Sequence, residues 1–494
     1  MNFDIGTWAF KNRALIYFLV GVLVVGGVFA AWRMSKLEDP EIKVKMAMVV
    51  TTYPGASAHE VEMQVTDPIE KSIRSMSGVD NVESYSFADV SLIQVELLST
   101  IPNKDVEQCW DMLRRKVNDV QASLPAGARQ SVVRDDFSNV YGMFYCLTAD
   151  GMGERELSDY AGLVKRELGN MEGVDRVVLY GEQKECINVT LHQDRMSALG
   201  INPIEVLSTL QGQNKAVYAG YYDNGDQRIR VRVSGRFDSV ESIGNMLIQG
   251  HEDDQLHMRD IATIERDVER PVRAALTRDS QRAVGILVAP SAGADVVKVG
   301  RAIAQRVDEL KAERFPAGVE VHKVFYQPDR VTDALSSFII NLIESVAIVV
   351  VILMFVMGFK SGLIIGASLV VIVLGSFLLL LGFDGTMQRV SLGTFILAMG
   401  MLVDNAIVII DGILNDLQRG IPRREAMTNI GRRTAMPLLG ATMIAILSFL
   451  PIFLSPDTAG IYVRDLFIVL AVSLLLSWVL ALAHVPLMAN RLLK

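Results

Sequence analysis

The sequence predicts an α-helical membrane protein of six transmembrane helices carrying one large exported α/β domain of ferredoxin-like β-α-β units. Three observations predict it. Apolar residues gather into six stretches long enough to cross a bilayer: Ala14–Trp32, Phe338–Met357, Leu363–Leu381, Leu392–Leu414, Ala435–Leu454 and Leu466–Met488. Between the first and the second, residues 33–330 mix charge with Gly and Pro punctuation and hold no spanning stretch. Inside that insertion one strand–helix–turn–strand plan occurs twice. A hydrophobic share of 50% and a mean hydropathy of +0.31 are both too high for a soluble enzyme of 494 residues.

Orientation follows from Lys and Arg in the short flanks. Lys11, Arg13, Lys360, Arg419, Arg423, Arg424, Arg432, Arg433, Arg491 and Lys494 fall on one side of a six-span arrangement. The short loops of the other side hold Arg389 and Arg464. Both ends are therefore expected inside the cell and residues 33–330 outside. Residues 1–13 are expected to be a cytoplasmic interfacial segment, with Phe3, Ile5, Trp8 and Phe10 in the inner interface. The first span, 14–32, reads as an uncleaved anchor. Val28-Phe29-Ala30-Ala31 is small enough for a cleavage site, but the apolar core outruns a signal peptide's and Trp32-Arg33 follows without a break.

In the insertion, the first copy of the plan runs from the strand at Val49–Ala56 through a helix-period stretch, 59–76, to Gly78-Val79-Asp80 and an alternating strand, 90–98. The second has a strand at 141–148, a helix-period stretch at 156–171, Gly173-Val174-Asp175 and an alternating run at 185–191. Further helix-period stretches occur at 105–123, 203–211 and 294–314. The expectation is at least two small α/β sandwiches plus a strand-rich piece around 228–270.

Asp404 stands near the middle of the stretch Leu392–Leu414, LGTFILAMGMLVDNAIVIIDGIL. A carboxylate at bilayer depth costs roughly 2.5–3.5 kcal/mol on the lenient insertion scale, and by default it marks an ion or proton pathway. A structural Asp satisfied by a neighbouring helix, or one facing a water-filled vestibule, is the alternative. Asn405 is polar but cannot titrate.

Motifs for enzymatic chemistry are absent, and the chain is expected not to be an enzyme. There is no GxxxxGK[ST] phosphate loop, no HExxH and no GxSxG. An intramembrane acid without a nucleotide motif suggests coupling to an ion gradient, each charge crossing being worth about 2.3 kcal/mol per 100 mV. No cofactor or metal is called for: His59, His192, His251, His257, His322 and His484 are scattered singly, and ordinary surface or packed roles explain them. Cys109, Cys146 and Cys186 show neither CxxC nor Cys/His spacing. Free buried thiols are expected, with a Cys146–Cys186 bridge left open. A net charge of −8 argues against a nucleic-acid partner.

These motifs resemble the N-terminal half of a resistance–nodulation–division (RND) transporter, and among them the inner-membrane pump of tripartite multidrug efflux systems. The resemblance covers essentially the whole chain. It rests on YPGASAHEVEMQVTDPIEKSIRSMSGVDNVES from Tyr53, GMLVDNAIVIIDGI from Gly400 and FPAGVEV from Phe315. It implies a periplasmic porter domain with sandwiches near 37–133 and 134–180 plus 272–330, and an inserted docking subdomain at 181–271. Residues 331–494 would hold transmembrane helices 2–6, with a cytoplasmic loop at 415–433.

Residue by residue, Asp404 matches the first of two adjacent aspartates that carry protons in the multidrug pumps. Asn405 departs from that pattern at the second position, which puts a two-carboxylate relay in doubt. Asp411, on nearly the same helix face, matches a further acidic position, although solvation near the inner interface also explains it. Glu344 in the second span matches a family acid of unclear role. Tyr141 and Tyr180 align with aromatic positions that line the drug pocket, and packing of the sandwich core is their alternative. The turn Tyr221-Tyr222-Asp223-Asn224-Gly225-Asp226 is tighter than the family's docking arm. The expected assembly is a homotrimer with a periplasmic adaptor and an outer-membrane channel, moving small amphipathic substrates by proton antiport across the cell inner membrane. Family members continue into a second half that supplies a lysine partner for the fourth-span aspartate. Here the chain is expected to be a fragment or to be completed by another polypeptide. A heavy-metal exporter of the same superfamily, a non-transporting half and a protein-export or membrane-sensing component are the competing readings.

Overall fold

A computed structural model of the chain describes every residue outside 1–4, 41–42, 137–139, 214–215, 224, 226, 235–236, 250–254, 273 and 494. Phe3, Asn224, Asp226, His251 and Lys494, named above, lie outside the described residues. The chain opens with a short helix, α1 (Ile5–Lys11), and a long one, α2 (Arg13–Arg33).

Beyond α2 comes a four-stranded antiparallel sheet of β1 (Met46–Thr52), β2 (Val79–Phe87), β3 (Val90–Leu97) and β4 (Val132–Arg134), in the order β2-β3-β1-β4. Alternation makes these strands two-faced: Ala47, Val49, Ile93, Val95 and Leu97 are buried on one side. That side is covered by α3 (Ala58–Val61), a π-helical turn (Glu62–Thr66), α4 (Asp67–Arg74) and α5 (Val106–Gln121). Ser57 starts α3 by a capping box, its Oγ accepting from Glu60 N while Glu60 Oε2 accepts from Ser57 N at 2.8 Å. On α5 the buried residues Val106, Trp110, Leu113 and Val117 fall at helical spacing. Truncating Trp110, 2% exposed, to Ala would cost about 3–5 kcal/mol.

A second sandwich is assembled from two separate pieces of chain. The first supplies β5 (Met143–Ala149), α6 (Glu154–Gly169) and β6 (Val174–Tyr180). Between the pieces lie β7 (Glu185–Leu191), α7 (Gln193–Ala198), α8 (Pro203–Gln213), β8 (Ala216–Asp223), β9 (Arg228–Ser234), α9 (Val240–Gly244), β10 (Leu247–Gln249), β11 (Gln255–His257), α10 (Met258–Ile261) and β12 (Ala262–Val268). The second supplies β13 (Leu276–Arg278), β14 (Gln281–Pro290), α11 (Val296–Glu313) and β15 (Val319–Tyr326). The sheet order is β13-β14-β5-β15, with β6 also paired to β14, and α6 and α11 bury Leu157, Val164, Leu168, Ile303 and Leu310 against it.

The intervening piece has its own small core of Met196, Ile201, Val206, Met246, Ile248, Met258 and Ile261. Its longest pairing joins β7 to β12 in antiparallel register, Leu191 opposite Ala262. This corrects the repeat read from the sequence: residues 185–191 do not complete the second β-α-β unit. The strand that does so is β6, entered through Gly173 at φ +84° as β2 is entered through Gly78 at φ +90°. Gly181, at φ +77°, then turns the chain out of the sheet, a conformation that a Cβ penalises. In the β8–β9 hairpin, Gly225 turns at φ +88° and donates its N–H to Asp223 Oδ1 at 3.0 Å.

The last third is helical: α12 (Gln327–Met357), α13 (Phe359–Gly382), α14 (Arg389–Gln418), α15 (Arg423–Ser448), α16 (Leu450–Leu454) and α17 (Thr458–Leu492). Among the described residues, five helices are long and apolar enough to cross a membrane: α2, α12, α13, α14 and the stretch Ala459–Leu492. The fifth expected span, 435–454, is divided between α15 and α16, with a break at Phe449 ahead of Pro451. The loop expected over 415–433 shrinks to 419–422, because α14 and α15 extend into it. Gly420 at φ +80° ends the first helix, and Pro422 sits at the N-cap of the second. Packing is close where residues are small: Gly27 on α2 meets the backbone of Leu374 on α13.

All three cysteines are free. Cys146 is buried, whereas Cys109 and Cys186 are half-buried, so burial of the thiols holds for one of the three.

Candidate functional site

Helix α14 carries Asp404, Asn405 and Asp411, and its two faces differ. Leu392, Phe395, Ala398, Leu402, Ile409 and Ile413 are buried in the bundle. Leu397, Gly400, Asp404, Val408, Asp411 and Asn415 are exposed, and their spacing of three and four residues makes one continuous stripe. Asp404 and Asp411 are thus brought onto one line that α14 does not bury against the rest of the chain.

Asn405 turns the other way. It is 5% exposed, and its Nδ2 donates to Ser477 Oγ at 3.3 Å and to Thr442 Oγ1 at 3.5 Å. Ser477 in turn donates to the carbonyl of Leu402 at 2.6 Å. These bonds tie α14 to α15 and α17 through groups that would otherwise sit unpaired in an apolar core. A helix advances 100° per residue, so adjacent residues on α14 serve different partners. Glu344, the acid of the second span, is exposed on α12.

The N-terminal ends of α12 and α14 share an anchor. Glu38, just beyond α2, pairs through one carboxylate oxygen with Arg389, the first residue of α14. Its other oxygen accepts from Gln327 Nε2, on the first residue of α12, at 2.9 Å. Measured from that common level at 1.5 Å per residue, Glu344 lies about 25 Å and Asp404 about 22 Å down their helices. The two acids therefore lie at similar distances from that joint along their helices.

Tyr141 and Tyr180 are not brought together. Tyr180, 51% exposed, lies opposite Gly285 on β14, while Tyr141 precedes β5, whose Met143 lies opposite Val288. Because β5 and β6 flank β14, the two rings are separated by about 10 Å across the sheet and about 10 Å or more along it. Two clefts open where α2 meets the sandwiches. One, of about 470 Å³, is lined by Glu38, Asp39, Lys43, Glu107 and Asp175 among others. The other, of about 780 Å³, lies between Trp32 and Arg33 at the end of α2 and the segments around Glu172 and Asp295. Neither tyrosine lines either cleft.

Sequence reasoning missed several polar groups at helix ends and in the bundle. Gln388, fully buried, donates to Asp465 on α17, and Tyr462 Oη donates to Asp39 Oδ1 at 2.9 Å. Asp416, 3% exposed, faces Arg433 at 3.7 Å. His484 is buried on α17, in keeping with a packed role. The adjacent acids Glu38-Asp39 directly after a span were the available signal.

Comparison with known proteins identifies the family. A sequence profile of the AcrB/AcrD/AcrF family matches residues 6–494. An uncharacterized transporter of Haemophilus influenzae (strain ATCC 51907 / DSM 11121 / KW20 / Rd) is 28% identical over 478 residues, covering 96% of this chain and 46% of that protein. The chain thus spans about half the length of the curated relative it matches. With several apolar helices and a match over nearly its full length, this is a multi-pass membrane protein, and it belongs to the AcrB/AcrD/AcrF family of RND-superfamily transporters.

Proposed function

We propose that this chain is one half of a proton-driven efflux transporter of the inner membrane, exporting hydrophobic or amphipathic compounds, with Asp404 as the proton carrier. The observation that carries this reading is the exposed stripe of α14. A carboxylate near the middle of an apolar helix faces away from its own bundle, between Gly400 and Val408 and in line with Asp411. Desolvation there disfavours the charged form, and a cationic partner favours it. The spans expected from the sequence offer no Lys or Arg near their middles; Lys360, Arg419, Arg432, Arg433 and Arg491 stand at one end, where they reach water. A second set of spans seated on the stripe, bringing the lysine that the family resemblance implies, would give Asp404 two states, paired and protonated. Alternation between them is what a proton-driven cycle needs.

In the same reading the exported region, 33–330, is periplasmic. Residues 37–133 and 134–180 plus 272–330 form the porter sandwiches, and 181–271 the docking part. The assembly is a homotrimer joined to a periplasmic adaptor and an outer-membrane channel. Tyr180, half exposed on β6, and Tyr141 supply aromatic surface for amphipathic substrates; this favours organic compounds over the soft metal ions that thioether clusters would bind.

The test is reconstitution in liposomes of the chain alone and of the chain with a matching second half, under an imposed pH gradient, with ethidium as the probe. Ethidium movement is expected with both halves and not with one. No gradient-driven movement with both halves would overturn the transport reading. Robust movement by the chain alone would overturn the need for a partner half.

A further inference from the structure

The segment that leaves α2 is threaded between the membrane helices and the second sandwich. Leu37 N donates to Met387 O at 3.1 Å, and Met387 N to Ser35 O at 2.9 Å, so residues 35–37 run beside the α13–α14 loop. Arg389 N reaches Glu38 O at 3.4 Å, and Val296 N, at the start of α11, reaches Lys36 O at 3.2 Å. Met34 and Met387 are both 2% exposed, which closes the apolar side of this joint. At its centre stands Glu38, one oxygen on Arg389 and the other on Gln327.

Those two residues are the first of two helices with different attachments. Arg389 begins α14, the helix of Asp404. Gln327 begins α12, which follows β15 of the second sandwich with no intervening residue. The β15–α12 junction is itself stiff. Gln327 N donates to Gly142 O at 2.8 Å, just ahead of β5, and Tyr326 Oη donates to Gly300 O of α11 at 2.5 Å. A displacement of the outer end of α14 therefore meets the sandwich through this carboxylate, beside the backbone bonds of residues 35–38. Charge-assisted hydrogen bonds are directional and about twice as strong as neutral ones, which suits a joint that must transmit movement.

We propose that Glu38, with Arg389 and Gln327, is the positioning joint through which a change at Asp404 reaches the second sandwich. The inference rests on Asp404 being the proton carrier and deepens that reading by naming the path of its regulation. Glu38 itself touches neither proton nor substrate; it acts by holding α14 and α12 at one level.

Hydrogen–deuterium exchange on this chain assembled with its matching second half in lipid nanodiscs tests this. Asp404→Asn imitates the neutral acid, and the readout is the difference it makes, with and without Glu38→Gln. With Glu38 intact, Asp404→Asn should change exchange in α14 and also, by about twofold or more, in segments 142–149 and 322–330. With Glu38→Gln, the change in α14 should remain and the change in the two sandwich segments should fall by about half or more. Local loosening by Glu38→Gln cancels in the difference. The swap Glu38→Arg with Arg389→Glu re-forms the pair and should restore transmission. Transmission that Glu38→Gln leaves undiminished, that is absent with Glu38 intact, or that the swap fails to restore despite a native melting transition would overturn the joint. An Asp404→Asn variant that leaves α14 itself unchanged would instead contradict the proton-carrier reading beneath it.

Discussion

Asp404 and Asn405 are neighbours in the chain but face different surroundings, about 100° apart around α14: Asp404 lies on the exposed stripe, while Asn405 is 5% exposed and bonded to Thr442 and Ser477. One residue is open to the outside of the bundle. The other is committed to holding the bundle together. Substitutions at the two positions should therefore fail in different ways.

Asn405→Ala removes two interhelical hydrogen bonds, each worth on average about 0.6 kcal/mol in membrane proteins. The variant is expected to melt at a lower temperature by roughly 1 kcal/mol of lost stability, with ethidium transport reduced less than severalfold. Thermal unfolding in detergent together with transport in liposomes checks this. Transport lost as completely as in Asp404→Asn, at unchanged stability, would show that the two residues act as one unit.

Tyr141 and Tyr180 sit at different levels on opposite sides of β14. If both meet substrate, each Ala variant should lower resistance to some compounds severalfold and spare others, since an aromatic contact is worth about 0.5–1.5 kcal/mol beyond burial. Sites this far apart add within about 0.5 kcal/mol, so the double variant should show the product of the single effects. A uniform loss for every compound, with poor folding, would assign the rings to packing.

Arg306 on α11 bonds Glu167 of α6 at 2.8 Å and Glu309 at 2.9 Å, and its hydrogen bonds hold both carboxyls below the ordinary glutamate value of 4.5. A depressed carboxyl stabilises the fold above its unfolded value and loses that contribution as pH falls through the folded one. Melting of the second sandwich should therefore become easier below about pH 4.5, and less so in Arg306→Leu, which lacks the pair at every pH. Parallel pH profiles of the two proteins would contradict this.

Burial pushes the Cys146 thiol up, and Cys146 is 3% exposed in β5. Thiolate is the reactive form. N-ethylmaleimide at neutral pH should modify half-buried Cys186 faster than Cys146, by on the order of tenfold or more. Mass spectrometry of the labelled peptides reads the order, and equal rates would show that β5 opens readily.

The sequence carried the elements whose pattern is local. Helical spacing of Val106, Trp110, Leu113 and Val117 marked α5, and the apolar run around Asp404 marked α14. What it did not carry was partnership over distance. Asn405 finds its partners 37 and 72 residues away, and Glu38 finds Gln327 and Arg389 at separations of 289 and 351. In α14 apolar residues occur all round, so periodicity alone does not say which face is buried. The strand at 185–191 alternates as a sandwich strand would, and only its pairing with β12 assigns it elsewhere.

The most direct test of the account is gradient-driven ethidium transport by the complete two-half assembly in liposomes, comparing the native protein with Asp404→Asn. The substitution keeps the shape of the side chain and removes its proton. The account predicts transport at the level of empty liposomes, with the assembly intact by size-exclusion chromatography. Transport at the native rate in Asp404→Asn would contradict it.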